Sequence, residues 1–199
     1  MLNGWNAKHT LAAVAMLLLA GCGSSDEPST SPTTSAPSAP TTTEAPAPAD
    51  LVVQPGSIGD VAVGISQDDA VATGMFDADV DGVEGCTFKL QWKKEYVGLD
   101  VLTNEAGDVT SLGVTKGGPQ TSAGAGVGST LAEVQAAYPD VSEPAEVGFG
   151  QAGVIHTQGG DHIGFLFADA TVDSVKPTSK VTFMEVTSGD EPELMRSGC

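Results

Sequence analysis

Between Gly23 and Asp50 the chain is Gly, Ser, Thr, Pro and Ala with a few acids, and it contains no Leu, Ile, Val or aromatic residue. Such a stretch has no apolar surface to offset the entropy of ordering its backbone, so it is expected to stay disordered. Everything that can build a core is thereby pushed into residues 51–199, which are enough for one ordinary domain. If wholly extended like polyproline, the stretch would reach about 85 Å at about 3.1 Å per residue.

What precedes this tether has a different composition. Lys8 and His9 lead into the apolar run Leu11 to Ala20, which ends in Leu19-Ala20-Gly21-Cys22. A run this short is roughly half of what a hydrocarbon core requires, and its charged start and small-residue end are those of an export signal. The tetrapeptide resembles the lipobox of bacterial lipoproteins, in which the cysteine is acylated and becomes the new N-terminus. The resemblance implies a signal peptide over 1–21, a lipidated Cys22 heading a tether over 22–50, and an extracytoplasmic domain over 51–199. Two acyl chains on one cysteine give stable anchoring where one is marginal. The membrane, reached through lipid on Cys22, is thus the first expected partner, and the outer face of a cell membrane the expected location. An ordinary secretory signal followed by an incidental cysteine is the alternative.

Charge narrows the remaining partners. The chain has 26 Asp and Glu against 8 Lys and Arg, a formal charge of -18, and losing Lys8 with the leader makes it more acidic. Phosphate backbones are bound through Lys and Arg that displace counterions, so a nucleic-acid partner is excluded.

Within the domain, alternating runs predict strands at Cys86–Trp92, Val97–Thr103, Val109–Thr115, Val154–His156, Ile163–Phe167 and Val181–Val186. Asn104 to Gly107 reads as a hairpin turn. Short helices are predicted to begin near Ser66 and Thr130, because Ser66 with Asp69 and Thr130 with Glu133 have capping-box spacing, Asp69 being the shorter and poorer partner. Breakers follow at Gly74 and at Tyr138-Pro139. Val63–Ala72 aligns with Val127–Ala136 at a constant offset. The expected fold is therefore α+β, two repeats (about 58–116 and 122–187) of a short helical element packed on a small antiparallel sheet.

The same residues carry a resemblance. Val63-Gly64-Ile65-Ser66 with Asp69 and Val71, then a cysteine-bearing strand, a further strand, the turn at Asn104–Val109 and another strand, resembles the repeat of β-lactamase inhibitor proteins and of small outer-membrane-assembly lipoproteins. Gly126 to Pro139 looks like the matching segment of lipoproteins from Gram-positive bacteria. By pattern the resemblance covers residues 58–187, and it implies a fold and an envelope location. The inhibitors are secreted without an anchor and have a disulfide inside each repeat, whereas Cys86 has no cysteine partner in its own repeat. No inhibitory residue maps onto this chain.

Several local patterns compete for a function. Cys86 and Cys199 are the thiols left in an oxidising compartment, and a disulfide between them is expected; two unpaired thiols are the alternative. Asp77, Asp79 and Asp81 before Gly82 look like the start of a calcium loop, but Phe88 stands where an EF-hand needs its bidentate glutamate, so a solvated acidic loop is expected. Gly148-Phe149-Gly150-Gln151-Ala152-Gly153 matches a dinucleotide fingerprint as a string, yet a strand follows it where a helix must open. Gly117 to Gly128 lacks the lysine of a phosphate-binding loop and reads as the connector between repeats. His156 and His162 have no cysteine near them and no catalytic signature around them.

Trp92, Lys93, Lys94, Glu95 and Tyr96 are the one place where positive charge and aromatics coincide. Read as a hairpin tip, they make Trp92, Lys93, Lys94 and Tyr96 the candidate contacts for an envelope protein partner; the alternative is a lysine-guarded turn with both rings packed across strands. The chain is expected to bind rather than catalyse, with no cofactor or metal. An envelope-acting enzyme and a calcium-tuned binding module are the alternatives.

Overall fold

The computed structural model describes residues 45–81 and 87–196. Three short strands open the domain: β1 (Val53–Gln54), β2 (Ser57–Ile58) and β3 (Val61–Ala62), paired in that order. Helix α1 (Gln67–Ala72) leads to a hairpin of β4 (Phe76–Asp81) and β5 (Thr87–Trp92), which forms a sheet of its own. Next come β6 (Leu99–Thr103), β7 (Val109–Val114), α2 (Leu131–Ala137), β8 (Ala145–Val147), β9 (Gln151–Gln158), β10 (Asp161–Phe167) and β11 (Phe183–Ser188). These strands make one antiparallel sheet of six in the order β6-β7-β11-β10-β9-β8.

Cross-strand register explains the core. Val101, Leu112, Val186, Ile163 and His156 form one row across the sheet, and Leu99, Val114, Met184, Phe165 and Val154 form the next. Side chains of a strand alternate between faces, so both rows point the same way. Their apolar members join Ala70 of α1, Leu131 and Val134 of α2, Phe76, Leu90 and Trp92 of the hairpin, and Val53, Ile58 and Val61 in a single core.

The expected α+β arrangement of two helix-plus-sheet repeats is not what forms. The described chain is mostly β, and its two helices have only six and seven residues, burying Ala70 from one and Leu131 and Val134 from the other. Elements that bury so little cannot cover a sheet each. Instead the strands of both halves share one sheet, because the last strand, β11, enters between β7 and β10 and hydrogen-bonds to both. The alignment of Val63–Ala72 with Val127–Ala136 marks two capped helix starts within that single architecture.

The caps themselves form as expected. Thr130 Oγ1 accepts from the Glu133 amide at 3.3 Å while Glu133 Oε2 accepts from the Thr130 amide at 2.7 Å, a complete box. Ser66 Oγ accepts from the Asp69 amide at 3.2 Å, and the shorter Asp69 side chain takes only the Ser66 hydroxyl. Hydrogen bonds from the Thr130 amide and then its hydroxyl lower the pKa of the Glu133 carboxyl from 4.5, with Lys180 adding a smaller pull. A lowered folded pKa means that its contribution is present above the unfolded value and disappears as pH falls below about 4.5. Thr130→Ala is expected to cost about 1 kcal/mol, read as a lower urea midpoint at unchanged slope; an unchanged midpoint would show that packing alone holds the helix start.

The domain also begins earlier than composition suggests. Pro48–Asp50 form a 3-10 turn, Ala45 packs against the core, and the Tyr96 hydroxyl donates to the Pro46 carbonyl at 2.9 Å. Residues 45–50, expected to belong to the disordered tether, are thus fastened to the domain.

Candidate functional site

The face of the six-stranded sheet that looks away from the helices has an unusual floor. Gly113 of β7 and Gly164 of β10 lie on that face on either side of Glu185 of β11, and Gly153 of β9 lies on the same face beyond β10. Glycine inside a strand often marks a close approach by another backbone, and here the visitor is the chain's own C-terminal segment, Asp190 to Arg196. A Cβ at Gly164 would come within 2.8 Å of Leu194 Cδ2 and 2.9 Å of Pro192 Cβ, one at Gly153 within 2.7 Å of Leu194 Cδ1, and one at Gly113 within 2.7 Å of Arg196 Nη2. Leu194 is buried with Leu166 and Phe183 in a small second core, against which Val147 also packs.

Glu185 is the polar centre of this face, with only 3 % of its surface exposed. Its Oε1 accepts from Ser111 Oγ and from Arg196 Nη1, both at 2.6 Å, while Oε2 accepts from the Leu194 amide at 2.6 Å. Arg196 reaches further, donating through Nε to Asp100 Oδ2 at 2.7 Å, and its guanidinium carbon lies 5.0 Å from the Phe183 ring centroid. Buried carboxylates persist when paired and hydrogen-bonded, and this one has a partner for both oxygens. Two carboxylates share one guanidinium, so the cluster stays net negative.

Beside the strap runs a groove of about 360 Å³ lined by Phe149, Leu166, Phe183, Leu194, Met195 and Arg196, among others. Phe149 stands at the β8–β9 turn and is 79 % exposed, the most exposed large apolar side chain among the described residues. Gly148 (φ 53) and Gly150 (φ 79) flank it in the left-handed region open to glycine, which fixes the turn that lifts the ring outward. Larger depressions of about 680 Å³ beside Gly124–Ala137 and about 480 Å³ beside Pro48–Leu51 display no such ring. Tyr96, which lines the second, is buried.

The residues singled out from sequence are distributed differently. Trp92 and Tyr96 are core residues at 7 % and 5 % exposure, so they are not displayed to a partner as the hairpin-tip reading requires. Trp92 stacks on Phe76 at 4.1 Å and gives its indole N–H to the Asp100 carbonyl at 3.1 Å, while Tyr96 lies 5.6 Å from Trp92. Burial first, and then Glu95, raises the pKa of the Tyr96 phenol. Lys93 turns its ammonium to the Gly74 carbonyl at 2.6 Å, which leaves Lys94 as the exposed cation of the group. The segment is therefore a lysine-guarded turn with both rings packed inward.

Asp77, Asp79 and Asp81 lie on strand β4, paired with β5, rather than on a loop. Asp79 is engaged by Lys89 at 3.5 Å and by the Gln67 amide at 3.3 Å. His156 and His162 sit on opposite faces of the sheet, as adjacent register positions dictate. His156 stacks on Tyr138 at 4.3 Å with Nδ1 3.1 Å from Asp140, and His162 meets the Thr157 hydroxyl at 2.9 Å. Gly153 continues into strand β9, so the fingerprint string lacks its helix. Among the described residues no group of three or more His, Cys, Asp or Glu is placed to hold a metal ion. Cys22, Cys86 and Cys199, with the lipidation and the disulfide expected of them, lie outside the described residues.

Sequence reasoning missed the Glu185 cluster and the Phe149 turn. Both left signals: an acid at the centre of the apolar run Phe183–Val186, and an aromatic between two glycines. No helix among the described residues is long and apolar enough to cross a membrane. No family model, curated protein or solved structure matches the chain.

Proposed function

We propose that this chain is a lipid-anchored, extracytoplasmic binding module that docks a polypeptide partner in the groove beside Phe149. The observation that carries the docking face is the exposure of Phe149 next to apolar walls supplied by Leu166, Phe183 and Leu194. Aromatic side chains at the edge of an apolar recess are the usual anchors of protein interfaces, since they bury large area at low entropic cost. The anchor rests on Leu19-Ala20-Gly21-Cys22 after its apolar run and on the Ser, Thr, Pro and Ala tether behind it. With the root of that tether fastened at Pro46 and Tyr96, the domain has a fixed point of suspension.

The test combines two readouts in living cells. The wild-type chain is expected to incorporate an alkyne-tagged palmitate that Cys22→Ala does not, and a photo-crosslinker at position 149 is expected to trap one dominant membrane-fraction protein. A chain without incorporated lipid would contradict the anchor. Capture at position 149 no greater than at Asp77 on β4 would contradict the docking face.

A further inference from the structure

We infer that the occupant of the Phe149 groove is a cationic polypeptide segment carrying one bulky apolar side chain; this rests on the groove being the docking face. The groove's volume is near the lower end of what small-ligand sites enclose, so it accommodates an anchor side chain, and the rest of the recognition falls to the rim. That rim is acidic. Glu193 is exposed on the strap between the buried Pro192 and the groove-lining Leu194, and Asp100, with 41 % of its side chain exposed, lines the groove itself.

The positive charges nearby do not cancel this. Arg196 is already shared between Glu185 and Asp100, leaving Lys116, next to the groove-lining Thr115, as the neighbouring exposed base. The whole chain reinforces the local sign, with 26 acids to 8 bases. A field of that sign raises the encounter rate with cations and repels phosphates and anionic headgroups, so the apolar anchor must arrive on a basic segment.

Fluorescence anisotropy on the full-length chain in neutral detergent tests this with three labelled peptides. Each has a central Leu-Phe pair, flanked by two lysines on both sides, by glutamines, or by glutamates. The lysine peptide is expected to bind at least about tenfold more tightly than the glutamine peptide, and to weaken about tenfold from low to high salt as screening shortens the reach of the rim charges. The glutamate peptide is expected not to bind. Phe149→Ser, a change at an exposed turn, is expected to weaken the lysine peptide at least about tenfold.

Equal binding of the lysine and glutamine peptides, insensitive to salt yet lost in Phe149→Ser, would overturn the cationic partner and keep the docking face. Salt-sensitive binding that Phe149→Ser leaves unchanged would place the attraction elsewhere on the acidic surface and overturn both. Failure of the lysine peptide to bind at millimolar concentration would overturn the cationic partner.

Discussion

Arg196→Ala is expected to destabilise the domain by about 3–5 kcal/mol, although Arg196 belongs to no strand or helix. The reason is what it leaves behind. Glu185 lies mid-strand in β11, 3 % exposed, between Met184 and Val186 on the opposite face. Without the guanidinium its Oε1 retains only the Ser111 hydroxyl, and a buried carboxylate held by neutral donors alone must find water or a proton. Replacing both ends, Glu185→Gln with Arg196→Met, is expected to recover much of the loss, because the cost comes from the orphaned charge rather than from the pair's net attraction. Urea denaturation of the single and double variants measures this directly. A single-variant loss below about 1 kcal/mol would mean that solvent reaches Glu185 and that the pair behaves as an exposed one.

The same cluster shows why parts of this protein were readable from sequence and others were not. Strands β5, β6, β7, β10 and β11 announce themselves by alternation, and both helix starts by their caps, since these signals depend on neighbours in the chain. The position of β11 between β7 and β10 is a long-range pairing, and nothing local specifies it. It merges what the repeat pattern divides into two units. β4 went unread for a different reason. Phe76-Asp77-Ala78-Asp79-Val80-Asp81 has a period of two, but aspartate is depleted in strands, so the acids outweighed the alternation that the hairpin obeys. Trp92 and Tyr96 show the opposite error, in which aromatics beside lysines looked like a display surface and proved to be core. Phe149, with no charged residue next to it in sequence, is the large exposed ring among the residues whose burial is described.

Glycines supply the remaining lesson. In a strand glycine weakens the sheet unless something uses the space, and Gly113, Gly153 and Gly164 lie on adjacent or near-adjacent strands facing one strap. Each gap is matched by a named group: Arg196, Leu194, or Leu194 with Pro192. The strap closes the sheet's second face, and Leu194, Met195 and Arg196 then serve as walls of the groove. Docking and stability are therefore coupled through the same few residues, and a change that unseats the strap removes the groove along with the packing.

Leu194→Ala is accordingly expected to cost about 2–5 kcal/mol, the range for deleting a buried leucine side chain. Leu194 is 1 % exposed and fills the space above Gly153 and Gly164. Its backbone adds a discriminating detail, since Leu194 has φ 53, a left-handed conformation that costs an L-residue with a Cβ and costs glycine nothing. At an ordinary buried site glycine is worse than alanine; here Leu194→Gly is expected to be no less stable than Leu194→Ala, because relief of the left-handed strain offsets the larger entropy loss. Both variants are measured by urea denaturation, with photo-crosslinking from position 149 as the readout of the groove. A glycine variant clearly less stable than the alanine one would show that the strap does not hold this backbone conformation. Retention of crosslinking in both would show that Phe149 engages its partner without the Leu194 wall, and the docking face would then reduce to the β8–β9 turn.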